Sequence, residues 1–465
     1  MAGHRLSCII ILSFLTGAST VALWRPAPKH AARTGCPQSG PSNEYTIGML
    51  TSDIKCNTAV HTIGEATLET MFPAFGYCDR KDLALLISQI WLDTPCYTQN
   101  AKSAETVLFP TFATGWGGSI VKAQENPKVI SSSKFADHRD PFVSRNGSVV
   151  IMEDIFKQKA ETWKFRGGGR RSLRECREQF LPVVPKILQR LQLSNAKQIV
   201  IVDTSGTHNN MSSPVRQQYI VELARYVPRN ISILWAAMGL VHHDLEMLRV
   251  MKLTGRVRPY SLPYPSTSYC HFTPELNQKR NRPLHNRSHF MSFVGRLHKN
   301  RVRWHIAQLY HDKIIENRKV VIQSRVNGAE QEVEMFEASI FDSVFTLVLP
   351  GDHPHSYRFN EAVCSGGVPV LVESNDPMLQ IMPPHDKAFP FSLYGIRAHN
   401  ISDLAQQLKA VPWHRREELR SNALKVCAIA FSTTAGSFYS MLNFVVNNKD
   451  AAHACFPKAQ RGAAA

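Results

Sequence analysis

The sequence predicts an α/β fold made of two doubly wound, Rossmann-like domains with parallel sheets. Three observations predict it. Short runs that are almost wholly apolar recur at Thr106–Phe109, Ser148–Met152, Gln198–Val202, Ile231–Leu234, Phe290–Val294, Val320–Gln323, Val344–Leu349 and Val368–Val372. Such runs suit strands buried on both faces. Stretches of helical period lie between them, and alternating strands and helices favour parallel sheets. A Pro- and Arg-rich stretch, roughly Arg256 to Arg287, divides the runs into two groups and reads as a linker.

The chain has 465 residues, 43% hydrophobic and 20% charged, with a formal charge of +17. That composition excludes wholesale disorder. Only one apolar run, Leu6 to Trp24, approaches the roughly 20 residues that cross a bilayer, which excludes a polytopic membrane protein. This run has two readings. One is a cleaved signal peptide, with Gly17, Ala18 and Ser19 near the cut. The other is an uncleaved anchor, favoured because the run is longer than the roughly 7–15 residues of a signal core. Arg25, Lys29 and Arg33 on its far side do not help the anchor's orientation. The anchor makes the chain a single-pass type II protein, expected at the Golgi membrane; cleavage would place it in the ER lumen or outside the cell.

Asn146, Asn210, Asn230, Asn286 and Asn400 each head an Asn-x-Ser triplet without proline, which fits a lumenal body. Nine of the ten cysteines lie beyond the apolar run, and several are expected to pair in an oxidising lumen. The four from Cys36 to Cys96 form the expected pairing zone. None has CxxC spacing, which argues against zinc and thioredoxin-type chemistry.

The expected organisation follows in order. Residues 1–24 are the anchor or signal, and 25–44 a stem rich in Pro, Gly, Ser and Ala. A first domain spans 45–270, a second 271–450, and 451–465 is a tail. Helices are expected over Leu173–Phe180, Pro185–Leu191 and Val215–Tyr226, with Pro182 separating the first two. Val302, Ile306, Leu309 and Tyr310 share one helical face. Arg166–Arg171 reads as an exposed loop.

Ligands of open α/β sheets sit beyond the carboxyl ends of the strands. Phe290–Val294 runs into Gly295 and Arg296, and a helix begins near Asn300. A glycine allows close backbone approach and an arginine forks onto phosphate oxygens, which suits an anion. An ordinary strand–turn–helix with a solvent-facing Arg is the plainer reading. Val344–Leu349 runs through Pro350, Gly351 and His353–Ser356 into a short helix, about Tyr357 to Cys364. That helix stops at Gly366–Gly367, before Val368–Val372. Ser356 is placed as an N-cap. Arg358 and Glu361 share a face at i, i+3, where a carboxylate can take ribose hydroxyls beside a diphosphate. A structural ion pair is the alternative.

These residues carry a resemblance. Phe341 to Phe391 (FDSVFTLVLPGDHPHSYRFNEAVCSGGVPVLVESNDPMLQIMPPHDKAFPF) resembles the exostosin family, glycosyltransferase family 47, in its strand ending near Pro and Gly, its Ser-x-Arg, its acidic residue before Ala, and its Pro-Val strand followed by an acidic residue. Phe290 to Leu309 is similar to the family's strand–Gly–basic helix, and Arg258 to Tyr264 to its inter-domain Pro-Tyr segment. The chain departs from the family where Pro350 and Gly351 are adjacent, where His353 and His355 replace small or polar residues, and through most of the first half.

The resemblance implies a GT-B architecture, with two facing Rossmann-like domains and a cleft between them. It implies an inverting glycosyltransferase moving a sugar from a nucleotide-sugar, usually UDP-linked, to a glycan acceptor, with no metal or other cofactor required. By position it assigns donor binding to Gly295, Arg296, Arg303, Gly351, Ser356, Arg358, Glu361, Gly366 and Gly367, with Arg301 as an alternative helper. An inverting transfer needs a base. Asp203, closing Gln198–Val202, is the first candidate; His208 and Glu153 are others, and a loop-capping role for Asp203 is the plainer reading. Leu276 to His311 holds eight Lys or Arg and no acid. Lumenal topology argues against nucleic acid there and leaves donor diphosphate, an anionic glycan, or solvated surface over Lys279–Arg287. His353/His355 and His242–Asp244 lack convergent partners for a metal. A catalytically inactive, glycan-binding or scaffolding relative is the competing class, and an oligomer with itself or another transferase is an expected partner state.

Overall fold

The strands of the computed structural model are β1 (Val60–Thr62), β2 (Thr106–Phe109), β3 (Pro141–Val143), β4 (Val149–Ile151), β5 (Gln198–Asp203), β6 (Ser232–Met238), β7 (Val257–Leu262), β8 (His289–Gly295), β9 (Ile314–Ile315), β10 (Arg318–Ser324), β11 (Ser343–Val348), β12 (Val368–Val372) and β13 (Ile396–Ala398). The helices are α1 (Pro214–Tyr226), α2 (His242–Val250), α3 (Pro274–Asn281), α4 (Arg301–Tyr310), α5 (Arg358–Cys364), α6 (Leu404–Lys409), α7 (Trp413–Val426) and α8 (Thr434–Asn447). The structure describes residues 59–62, 96–109, 141–143, 149–151, 186, 189, 195–203, 214–263, 274–297, 301–324, 339–350, 358–373, 380–431 and 434–447. The anchor, the stem, the tail, Arg166–Arg171 and the expected helix Leu173–Phe180 lie outside them. All described residues belong to one unit, Gly35–Ala465.

The fold is α/β with two parallel sheets. The first has the order β1-β2-β5-β6-β7, and every pairing in it is parallel. The second has the order β13-β12-β11-β8-β10-β9, parallel except for the β9–β10 hairpin. The apolar runs become these strands because both faces are covered. On the second sheet, Phe345, Leu347 and Leu349 pack with Ile306 and Tyr310 of α4 and Leu404 and Leu408 of α6. The intervening Val348, with Leu371 of β12, packs on Phe359, Ala362 and Val363 of α5. That alternation is the period-two pleat of a strand.

Three expectations change. Within Ser148–Met152, Val149–Ile151 form a strand, but this β4 pairs antiparallel with β3 in a separate two-stranded ribbon. The stretch Arg256–Arg287 is not a plain linker: it contains β7, α3 and a 3-10 turn at Leu284–Asn286. Arg258 and Pro259 break the apolar pattern there, yet Val257, Tyr260 and Leu262 are buried. Proline fits because β7 is an edge strand. Finally, α8 lies within the expected second domain by sequence but packs on the first sheet. Phe438, Met441, Leu442, Val445 and Val446 meet Val200, Val202, Leu234, Ala236 and Leu262.

A second connection joins the sheets. Just past β6, Val241 bridges Ile381, His242 N donates to Gln380 O at 3.0 Å, and Met382 N donates to Leu240 O at 2.9 Å. Beside β7, His385 N donates to Ser261 O at 2.8 Å. The His385 ring is fully buried between the Tyr260 hydroxyl and the Ser437 hydroxyl, each 2.9 Å away. Burial without a counter-charge pulls its pKa from 6.5 down to about 3, so it is neutral.

A disulfide links Cys364, ending α5, to Cys427, which opens the turn after α7, with Cα atoms 5.1 Å apart. Cys96, in the expected pairing zone, is disulfide-bonded too. Among the described residues no single helix is long and apolar enough to cross a membrane.

Candidate functional site

The second sheet changes direction at one place. From β8 the chain builds outward to β10 on one side, then crosses back to lay β11, β12 and β13 on the other. The switch point therefore lies between β8 and β11, and in open α/β sheets the ligand crevice lies at such a point. The two sequence motifs supply the two sides of this crevice.

Gly295 ends β8, and Arg296 follows it, exposed. A Cβ on Gly295 would stand 2.8 Å from the Phe293 ring. The glycine thus makes room for Phe293, which lies under the Arg303 guanidinium at 5.0 Å. Arg303, expected among the donor ligands, is 7% exposed and occupied. Its Nε donates to Pro350 O at 2.7 Å and its Nη1 to Arg296 O at 3.2 Å. It ties the end of β8 to the end of β11 and so fixes the width of the crevice. Arg301, two residues earlier and on another face, is exposed at the start of α4.

Across the crevice, α5 starts at Arg358. Arg358 Nη1 and Glu361 Oε2 form an ion pair, with side chains 18% and 10% exposed. The i, i+3 spacing puts both on one face, as expected. The remaining face of α5 is core: Phe359, Ala362, Val363 and Cys364 are fully buried. Gly351 and Ser356 lie outside the described residues, as do His353 and His355.

Gly366 and Gly367 need a correction. They precede β12, so they sit at the amino edge of the sheet, away from the crevice. Gly366 has φ +74, and a Cβ there would fall 2.1 Å from Arg280 O. A Cβ on Gly367 would meet Ser343 O at 2.8 Å. Backbone packing requires these glycines, and no ligand approach does.

On the first sheet, Asp203 ends β5 opposite Ala237, at the carboxyl edge; its side chain lies outside the described residues. His208 and Glu153 lie outside them as well. Asp244 is committed locally: its Oδ2 accepts from Val241 N at 3.0 Å, closing the start of α2. Among the described residues no group of three or more His, Cys, Asp and Glu can hold a metal ion. Asn230, Asn286 and Asn400 are exposed, while Asn146 and Asn210 lie outside the described residues.

One cluster was missed. Glu373, directly after β12, is buried and pairs with Arg397 of β13 and with His399 just beyond it. The position of Glu373 after an apolar run was a signal; the three-residue β13 was too short to show one.

Residues 205–398 match the model of the exostosin GT47 domain. That stretch is similar to the exostosin glycosyltransferase domain, and the match spans the first sheet's last two strands and the strands of the second. No curated protein matches in sequence. Among solved structures the chain is similar to a sucrose-phosphate synthase from Thermosynechococcus elongatus, at 9% identity and a TM-score of 0.30, over 60% of this chain and 80% of that one.

Proposed function

We propose that this exostosin-type glycosyltransferase moves a sugar, with inversion, from a UDP-sugar to a glycan acceptor in a GT-B arrangement. The second sheet holds the donor in the crevice between β8 and β11, and the carboxyl edge of the first sheet receives the acceptor. The observation that carries this reading is the switch point itself. It has an exposed Arg296 on one side, the Arg358–Glu361 pair on the other, and Arg303 bridging the two strand ends.

The chemistry follows from these groups. The acceptor oxygen attacks the anomeric carbon while the bond from that carbon to the diphosphate oxygen breaks. The diphosphate leaves with the electron pair, and negative charge grows on its oxygens. Arg296 and Arg358 stabilise that charge, a role for fixed cations in a water-poor site. Glu361 takes the ribose hydroxyls, and its pairing with Arg358 keeps both side chains in place before the donor arrives. Arg303 contributes through geometry, because its guanidinium is spent on two carbonyls. The reaction needs no metal in this reading.

We further place the protein at the Golgi membrane as a single-pass type II protein, held by residues 6–24. The Cys364–Cys427 disulfide and the exposed sequon asparagines Asn230, Asn286 and Asn400 support a lumenal body.

The test is thermal unfolding of the full-length protein with UDP, GDP, CMP and their sugars, alongside Glu361→Ala. A ligand that binds the folded state raises Tm as its concentration passes Kd. A UDP-selective rise that Glu361→Ala removes is expected. No rise with any nucleotide, in a folded sample, would reject the donor site and favour a glycan-binding relative without catalysis.

A further inference from the structure

Glu373 lies at the carboxyl edge, on the strand next to β11. Its side chain is 4% exposed. Oε1 accepts from Arg397 Nη1 at 2.5 Å, and His399 Nδ1 lies 2.5 Å from Oε2. The main chain clamps the same place, with Glu373 N donating to Ala398 O at 2.9 Å. Arg397 and His399 are two residues apart at a strand end, so both side chains leave on one side. Burying a carboxylate requires a counter-charge, and Arg397 already supplies it. His399 is a different kind of partner. It is 70% exposed, so the ring is anchored at Nδ1 and open at the other end. A carboxylate beside Nδ1 favours the proton at that nitrogen, and the neutral ring then carries its lone pair on Nε2.

The placement matters as much as the pairing. Neighbouring strands are about 4.8 Å apart, so the end of β13 stands about 10 Å from the end of β11. Seven residues beyond Glu373, Gln380–Met382 is pinned to Leu240–His242 at the carboxyl end of β6. The pair therefore stands at the carboxyl edge on the β11 side of the switch point, the side whose following segment, Gln380–Met382, meets the first sheet.

Resting on the donor-site reading above, we propose that His399 is the proton acceptor for the incoming hydroxyl, and that Glu373 is its positioning residue. As the acceptor oxygen bonds to the anomeric carbon, its proton passes to His399 Nε2. The nucleoside diphosphate leaves with the electron pair of the broken carbon–oxygen bond. The imidazolium so formed is stabilised by Glu373. This assigns the base to the second sheet, in place of Asp203 on the first.

The test uses full-length protein and reads UDP release from UDP-glucose, UDP-galactose, UDP-glucuronate and UDP-N-acetylglucosamine, with water as the acceptor. His399→Ala is compared with wild type, and UDP affinity is measured in parallel. General bases contribute about 10²–10⁴-fold. The expected result is a fall in kcat of that order with UDP affinity unchanged, and partial recovery on adding imidazole. Glu373→Gln should lower kcat in the same direction, without imidazole recovery, since its ring is still present. Wild-type kcat in His399→Ala overturns the proposal and leaves the donor site standing. So does a lost rate that imidazole does not restore. Wild type that binds UDP but releases none from any of the four sugars also overturns it alone. Wild type that binds no nucleotide removes the donor reading and this proposal with it.

Discussion

The two edges of the second sheet differ in how most of their arginines are held, although Arg303 at the carboxyl edge also faces carbonyls and Arg282 and Arg420 at the amino edge also meet carboxylates. At the amino edge, Arg287 is 2% exposed and gives its guanidinium to Ser343 O at 2.9 Å and Arg280 O at 2.8 Å. Arg420 does the same for Gly366 O at 3.0 Å and Asn281 O at 2.7 Å. Several of these carbonyls end α3, where cations are favoured. Burial lowers Arg287 to about 9 and Arg280 to about 10, well below the usual guanidinium range. At the carboxyl edge, Arg296 is exposed, and Arg358 and Arg397 are held by carboxylates. Carbonyl groups consume a guanidinium and make it part of the frame. A carboxylate at the carboxyl edge holds it in place beside the proposed donor site. What an arginine faces therefore decides its role, and its neighbours in sequence do not.

The largest expected effect tests the amino edge. Arg287→Ala leaves buried carbonyls without donors and should cost about 3–5 kcal/mol of stability. Denaturant unfolding measures it, and UDP affinity of the folded fraction should not change. A matching loss of affinity would mean that the two edges are not independent. Next comes the covalent tie between α5 and the turn after α7. Replacing Cys364 and Cys427 by Ala should lower stability by about 2–4 kcal/mol, read by the same unfolding curves.

A smaller effect sharpens the account of the sheet junction. His385 has a folded pKa near 3, below its ordinary 6.5. Its contribution is therefore present above pH 6.5 and is lost as pH falls below it, because the unfolded chain binds a proton that the folded one excludes. Stability should drop by about 2 kcal/mol from this group between pH 7.5 and 5. His385→Gln should flatten that slope. An unchanged slope would show that other groups carry it.

Much of the fold was legible because it rests on apolar periodicity. Thr106–Phe109 and Val368–Val372 appear as strands with the bounds expected. Val257–Leu262 was not legible, since Arg258 and Pro259 hide an edge strand whose burial comes from the first sheet and α8. The return of α8 to the first sheet is a tertiary choice that no local pattern announces. At the site, the i, i+3 pairing of Arg358 with Glu361 could be read directly. Three other features could not. Gly366 and Gly367 read as ligand-loop glycines, but chain direction puts them on the far edge. Lys279–Arg287 read as solvated surface, yet Arg287 is buried among carbonyls contributed by distant segments. Glu373 and His399 meet only because β12 and β13 pair, and the second of these strands is three residues long.

The central claim is that nucleotide binds at the carboxyl edge, between β8 and β11. Calorimetric titration with UDP of wild type, Arg296→Ala and Arg420→Ala tests it most directly. Removing a charge-assisted contact costs about 1.5–3 kcal/mol, so Arg296→Ala should bind UDP about 10- to 100-fold more weakly. Arg420→Ala, at the amino edge, should lose stability and keep the wild-type Kd. An unchanged Kd in Arg296→Ala, or a weakened one only in Arg420→Ala, would contradict the account.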